Sequence, residues 1–187
     1  MTQTEILNRL KNGNLKFVED KLKGGNNDQS RRNALTSGQS PFAIVLSCAD
    51  SRVVPEMLFD TGLGELFVIR VAGNIANASS IASIEYAVAH LKTSLIVVLG
   101  HESCGAVKAA ISGGDLGKNL NHLVSYINPA VKSGLAEKET IHSNARLNAE
   151  RLLSDSEIIK SAADEGKVKI VSAYYNLSSG VVDFLNA

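Results

Sequence analysis

The chain has 187 residues, 44% hydrophobic and 20% charged, which is the composition of a globular protein long enough to bury a substantial core. Its 19 Lys and Arg residues balance 19 Asp and Glu residues, so no basic surface is available and we expect no nucleic-acid binding. No apolar run approaches the roughly 20 residues that span a bilayer, and the N-terminus lacks a signal-peptide layout. We therefore expect no membrane association and a cytoplasmic location, where two cysteines are more often thiols or metal ligands than a disulfide.

An amphipathic helix is predicted first, over residues 5–23, where apolar residues such as Ile6 and Leu10 recur at helical spacing before a glycine-rich turn. Gly13 is a weak point in the middle of this helix. Because the helix precedes the first strand, it has no sheet of its own to lie on. We expect residues 1–30 to form a helical arm that packs on a partner subunit.

Four apolar runs rich in β-branched residues follow, with helical stretches between them; they cover residues 42–46, 66–71, 95–99 and 168–174. The first and third runs show no polar alternation, as expected of strands that are covered on both faces of a parallel sheet. The clearest helix between them covers 79–91, and 118–163 is helical apart from breaks near Pro129 and Gly134. This alternation predicts an α/β fold with a four-stranded, mainly parallel sheet flanked by helices.

The arm and the α/β core, residues 31–187, together predict a single domain over residues 1–187. This length is typical of one domain, and neither an internal repeat nor a low-complexity tract divides it.

Both cysteines follow predicted strands. Cys48 comes directly after the first strand, and His101 and Cys104 follow the third. Ligands of open α/β sheets bind beyond the carboxyl ends of the strands, so these side chains are expected to meet in one crevice. Cys104 also precedes a predicted helix, whose dipole stabilises a thiolate. Two thiolates and one imidazole leave the fourth position of a tetrahedral zinc open, which distinguishes a catalytic zinc from a structural one.

Each of these residues has a plainer interpretation when it is taken alone. A buried cysteine is usually a small hydrophobic residue, and a histidine after a strand is usually a hydrogen-bonded structural residue. The joint pattern favours a metal, because both cysteines end strands, a histidine lies three residues before one of them, and a carboxylate follows the other by two.

Asp50 and Arg52 add a second part to the predicted site. Residues two apart on an extended segment point the same way, and an Asp that faces an Arg is held ionised, ready to accept a hydrogen bond from metal-bound water. Two alternatives stay open. Asp50 could cap a helix beside a surface Arg52, or it could itself occupy the fourth position of the metal and switch the site off.

At these residues the chain resembles the β-class carbonic anhydrases. The family pattern Cys-x-Asp-x-Arg stands at residues 48–52, and the pattern His-x-x-Cys-Gly stands at residues 101–105. The resemblance runs from about Arg31 to Ile111 and resumes weakly over residues 169–175.

The resemblance implies one zinc ion per chain, held by Cys48, His101 and Cys104, and the reversible hydration of carbon dioxide to bicarbonate and a proton. Zinc lowers the pKa of a bound water to roughly 7, and the resulting hydroxide would attack carbon dioxide in an apolar pocket. Asp50, held by Arg52, would orient that hydroxide by accepting its hydrogen. The resemblance also implies a homodimer or a tetramer of dimers, with the pocket at the subunit interface.

Three substrate-binding residues follow from matching the plant-type members of the family. Gln39 resembles the glutamine that donates a hydrogen bond to an oxygen of carbon dioxide or bicarbonate. Phe67 and Tyr86 resemble aromatic residues of the pocket, one of them supplied by the neighbouring subunit. From the residue types alone, Phe67 and Tyr86 would be core residues and Gln39 a loop residue.

Some family members hold an inhibitory bicarbonate with a Trp, an Arg and a Tyr. Val45 stands at the Trp position, and the chain contains no Trp. Arg70 stands at the Arg position, where we expect it to serve packing or an interface. The resemblance therefore implies the open, plant-type site.

Three other functions are compatible with parts of the sequence. Residues 101–105 approach the G-x-S-x-G nucleophile elbow, with Ser103 as nucleophile and Asp115 followed by His122 or His142 as its partners, but that interpretation leaves Cys48 without a role. A non-catalytic zinc-stabilised binding module or a redox pair is a second alternative. A third is hydrolysis of carbonyl sulfide or carbon disulfide on the same fold.

Overall fold

The computed structural model describes residues 1–185, and within them one five-stranded sheet has the strand order β2-β1-β3-β4-β5. The first four strands are parallel, and β5 runs antiparallel to β4. The strands are β1 (Ala43–Ser47), β2 (Leu66–Arg70), β3 (Leu95–His101), β4 (Lys169–Tyr175) and β5 (Val182–Phe184). The α/β class and the mainly parallel sheet are confirmed. The predicted number of four strands is wrong, because β5 has three residues and is too short to produce a periodic signal.

Helices flank this sheet and connect its strands. They are α1 (Gln3–Val18), α2 (Gln29–Ala34), α3 (Pro55–Leu58), α4 (Ala78–Ala89), α5 (Gly105–Ser112), α6 (Lys118–Ser125), α7 (Glu137–Ser154) and α8 (Glu157–Asp164), with 3-10 turns at Ala72–Asn74 and Asn128–Ala130. The predicted breaks near Pro129 and Gly134 are confirmed, since both lie between α6 and α7. Within residues 1–185, no helix combines the length and the apolar character needed to cross a membrane.

The N-terminal helix α1 packs on the sheet of its own chain. Ile6, Leu7 and Leu10 are buried in one cluster with residues of β1, β3 and β4 such as Val45 and Val97. The expectation that this helix has no sheet of its own is wrong, and the packing of the arm on a partner subunit stays a prediction. The helix α1 precedes all the strands in the sequence, but it lies over one face of the sheet that they form later. Sequence order alone does not predict this placement.

The helix α1 also ends earlier than predicted, at Val18, because Asp20 adopts a left-handed conformation with φ 55°.

The polar residue Asn14 of α1 is buried and bridges two distant segments. The Asn14 amide donates to the carbonyls of Leu58 (3.3 Å) and Gly180 (2.9 Å), and its oxygen accepts the N–H of Val182 (2.8 Å). Asn14 therefore connects α1 to α3 and to the β4–β5 hairpin.

Alternate residues of the central strands face opposite sides of the sheet. Val45 packs with α1 on one side, whereas Ile44 and Leu46 pack with α4, α7 and α8 on the other. The chain leaves β1 towards β2 on one side and leaves β3 towards β4 on the other, so the strand order reverses between β1 and β3. Such a reversal opens a crevice at the carboxyl ends of the strands.

Gly13 allows α1 to approach α3 closely, and this gives a first prediction. A Cβ atom at Gly13 would lie 2.0 Å from the carbonyl oxygen of Phe59. We expect Gly13→Ala to destabilise the protein by about 1–3 kcal/mol in urea unfolding followed by circular dichroism, because the backbone must shift. The control Asn12→Ala, at an exposed position of the same helix, should change stability by less than about 0.5 kcal/mol. Equal stabilities of the two variants would contradict the close approach.

Candidate metal centre

The ends of two neighbouring strands bring the three predicted metal ligands together. Cys48 directly follows β1, His101 is the last residue of β3, and Cys104 caps the N-terminus of α5. Their ligand atoms all lie within 4.8 Å of one another, and all three residues are buried. The predicted meeting of these side chains in one crevice is confirmed.

The ring of His101 is oriented as a metal ligand. Its Nδ1 lies 2.8 Å from the carbonyl oxygen of Glu102, which only accepts, so Nδ1 carries the proton and Nε2 has the free lone pair. Nε2 is buried and has no hydrogen-bond partner among the described residues. A buried nitrogen without a partner is costly, and a metal ion would satisfy it. One imidazole and two thiolates are a donor set that suits zinc.

The sulfur of Cys48 accepts hydrogen bonds from two backbone N–H groups, those of Asp50 (3.4 Å) and Gly73 (3.3 Å). The side chain of Cys104 is the largest influence, and together with His101 and these N–H groups it lowers the pKa of Cys48 against the effect of burial. The side chain of Cys48 in turn raises the pKa of Cys104, and burial adds to it. The two N–H groups that point at the sulfur of Cys48 favour its thiolate form, which is the form that binds a metal.

Asp50 and Arg52 form a two-point ion pair beside the ligands. Arg52 Nε lies 2.9 Å from Asp50 Oδ1, and Arg52 Nη2 lies 2.7 Å from Oδ2. These side-chain hydrogen bonds hold the pKa of Asp50 well below its usual range, so the carboxylate stays ionised. Asp50 Oδ2 also lies 3.9 Å from Nε2 of His101, which places this oxygen next to the ligand cluster.

The alternative in which Asp50 caps a helix is wrong. The N-cap of α3 is Val54, which makes no side-chain capping bond. The carboxylate instead accepts the backbone N–H of Arg52 at 3.0 Å in addition to the side-chain bonds. Arg52 Nη2 in turn lies 3.5 Å from the carbonyl oxygen of Ser103, so the pair spans the two ligand-bearing loops.

Arg70 belongs to the site, although the sequence interpretation assigned it to packing or an interface. It ends β2, and its guanidinium donates to the carbonyls of Cys48 (3.1 Å) and Asp50 (2.6 Å). These bonds fix the backbone that carries a ligand and the carboxylate. The pairing of Arg70 with Ser47 at the ends of β2 and β1 explains the contact, and that register is not readable from one sequence.

The three predicted substrate-binding residues lie outside this cluster. Gln39 is exposed between α2 and β1. Phe67 lies near the start of the edge strand β2, with its ring centroid 6.4 Å from that of Tyr86. Tyr86 is 48% exposed and is therefore not a core residue. The ligands lie beyond the opposite ends of the strands, so a place for Phe67 and Tyr86 at the pocket depends on a second subunit and stays a prediction.

Comparisons with known proteins agree with the geometry of the site. The family profile described as carbonic anhydrase matches residues 43–182. A carbonic anhydrase of Mycolicibacterium smegmatis is 40% identical over 185 residues, which cover 93% of this chain and 89% of that protein.

Two solved β-carbonic anhydrases have the same fold. The Coccomyxa β-carbonic anhydrase, in complex with acetazolamide, superimposes with a TM-score of 0.77 and 27% identity over 84% of this chain and 78% of that chain. One of two tetrameric β-carbonic anhydrases from Sordaria macrospora superimposes with a TM-score of 0.72 and 26% identity, over 83% of this chain and 86% of that chain. Because the profile spans most of the chain and the bacterial relative is similar over nearly its whole length, the chain belongs to the β-carbonic anhydrase family.

Proposed function

We propose that this protein catalyses the zinc-dependent, reversible hydration of carbon dioxide to bicarbonate and a proton. The observation that carries the proposal is the cluster of Cys48, His101 and Cys104, whose ligand atoms lie within 4.8 Å of one another and include a buried nitrogen without a partner. A zinc ion bound there would lower the pKa of a coordinated water to roughly 7 and so supply a nucleophile at neutral pH.

Asp50 and Arg52 have distinct roles in this proposal. Arg52 engages both carboxylate oxygens of Asp50, which prevents rotation of the carboxylate and keeps it ionised. Asp50 Oδ2, the oxygen nearer to His101 Nε2, keeps a lone pair that can accept a hydrogen from the nucleophile. Accepting that hydrogen orients the nucleophile so that its own lone pair faces the carbon of carbon dioxide. Asp50 acts here as an acceptor and not as a base, because its pKa is too low for it to take the proton.

The substrate side of the site would be completed by a second subunit. In this proposal Gln39 donates to an oxygen of the substrate, and Phe67 and Tyr86 line an apolar pocket in a homodimer or a tetramer of dimers. Two features support an interface at this edge. The strand β2 is an edge strand whose outer backbone groups lack a neighbour within the described sheet, and Tyr86 exposes 48% of its surface beside it.

Replacing the histidine ligand tests the metal site. We expect His101→Ala to lose zinc and activity together. Its zinc affinity should fall by more than the roughly 10–100-fold that is typical when a hydrogen-bond partner of a ligand is replaced. Zinc content by mass spectrometry and carbon dioxide hydration by stopped flow check this. The control His122→Ala, at an exposed position on α6, should keep one zinc per chain. Faster turnover of carbonyl sulfide than of carbon dioxide by the unchanged protein would overturn the proposed substrate.

Replacing the carboxylate tests the role of Asp50. We expect Asp50→Asn to retain zinc and to lower kcat by about 100-fold or more, because an amide that donates towards the nucleophile cannot accept its hydrogen. The control Asp164→Asn breaks only an exposed ion pair with Lys160 and should leave kcat unchanged. Near-normal turnover in Asp50→Asn, or loss of zinc from it, would refute the orienting role.

Placing a charge at the proposed interface tests the assembly. We expect the protein to sediment as a dimer or larger species in analytical ultracentrifugation, and Tyr86→Asp to shift it towards monomers with lower activity and unchanged zinc content. The control Leu153→Asp charges a similarly exposed apolar residue on α7 and should leave the sedimentation unchanged. A monomeric wild-type protein with full activity would contradict the shared pocket.

A further inference from the structure

We propose that Asn144 and Asn148 of α7 are positioning residues for the metal centre, which hold the N–H of Gly73 against the sulfur of Cys48. The inference rests on the zinc site of the proposed function and adds to it residues that lie outside both ligand motifs. Neither side chain touches a ligand, and each acts through the backbone of the turn Ala72–Asn74 and the residues after it.

A continuous series of hydrogen bonds connects this helix to the metal ligand. Asn148 Oδ1 accepts the N–H of Ala76 (2.7 Å), and Asn148 Nδ2 donates to Oδ1 of Asn144 (3.0 Å) and to its carbonyl (2.9 Å). Asn144 Nδ2 then donates to the carbonyl of Gly73 (2.9 Å), and the N–H of Gly73 donates to Sγ of Cys48 (3.3 Å). The two asparagines are one helical turn apart, which places them on the same face of α7.

The backbone partners fix which way both amides point. The N–H of Ala76 can only donate, so Asn148 must present its oxygen there and its nitrogen to Asn144. The carbonyl of Gly73 can only accept, so Asn144 must present its nitrogen to it. Both asparagines are completely buried, where an unpaired polar group is costly. Reversing either amide would break the series, and the arrangement is therefore unique.

Close packing also restrains Gly73. It has φ 72°, a left-handed conformation that favours glycine, and a Cβ atom there would lie 2.6 Å from Cδ1 of Ile127 and 3.2 Å from Cβ of Ala106. Its carbonyl is bound by Asn144, and its N–H is directed at the sulfur. With both polar groups engaged, Gly73 has one orientation, and that orientation places a donor on Cys48.

This arrangement has two consequences for a bound metal. It fixes the position of the sulfur of Cys48 before the metal arrives, which favours binding. It also withdraws charge from the thiolate, as a hydrogen bond to a charged acceptor does. A role limited to folding would affect neither metal affinity nor the electronic state of the sulfur, so these two properties are the ones to measure.

The test replaces the donor by an apolar side chain of similar size. We expect Asn144→Leu to weaken zinc binding by about 10–100-fold in a competition with a chromogenic chelator. In the cobalt-substituted protein, the sulfur-to-cobalt charge-transfer absorption should move to longer wavelength, because the thiolate loses its hydrogen bond and holds its electrons less tightly. Asn148→Ala removes the amide that orients Asn144 and the acceptor of the Ala76 N–H, but it leaves the bond from Asn144 to Gly73, and it should change both quantities in the same direction by less.

Asn14 offers a matched control. It is also a buried asparagine with bonds to three backbone groups, but these bonds connect α1 to α3 and the β4–β5 hairpin. Asn14→Leu should lower the unfolding midpoint while zinc affinity and cobalt absorption stay at wild-type values.

Asn144→Leu with the zinc affinity and cobalt spectrum of the control would overturn the inference. If Asn144→Leu does not fold, Asn148→Ala decides by the same two measurements. A wild-type protein that takes up neither zinc nor cobalt would overturn the proposed function together with this inference, whereas unchanged variants of a metal-binding protein would overturn this inference alone.

Discussion

Parallel pairing of β1 with β3 is the constraint on which the site depends. Cys48 is separated from His101 and Cys104 by more than fifty positions in the sequence, yet Ser47 lies opposite Leu99 in the sheet register. The next residues of both strands therefore emerge side by side. Because the chain turns away in opposite directions after β1 and β3, neither connection covers the crevice between them.

The surroundings of the ligands are specialised for negative charge. Two buried sulfurs lie close to one partly exposed carboxylate, which would be unfavourable without compensating donors. Arg52 binds the carboxylate, Arg70 binds the backbone beneath it, and the N–H groups of Asp50 and Gly73 point at the Cys48 sulfur. These donors come from the loop after β1 and from the end of β2 with the turn that follows it, so the electrostatic environment depends on the register of these two strands.

The sequence identified the chemistry of the site better than its surroundings. Cys48, His101 and Cys104 were predicted because ligand identity is local and the carboxyl ends of parallel strands converge. Helices such as α4 and the breaks around Pro129 also followed from local periodicity. Arg70 was not predicted as part of the site because its contact depends on strand register, which involves residues far apart in the chain.

Two features of the fold were missed for the same reason. The placement of α1 on the sheet depends on the path of the chain, and α1 shows only that one of its faces is apolar. The strand β5 has three residues and forms because β4 offers it a free edge, not because its own sequence requires a strand. The roles of Gln39, Phe67 and Tyr86 stay predictions, because a single chain cannot provide the neighbouring subunit that is expected to supply part of the pocket.

The bridge made by Asn14 has a consequence for how this protein is assembled on the ribosome. Asn14 bonds the N–H of Val182, 168 positions later, and it also bonds the carbonyl of Gly180. During synthesis, which adds roughly 5–20 residues per second, α1 must wait many seconds before these partners emerge. Asn14 lacks these partners throughout that interval, so the first helix to be translated is among the last to complete its contacts.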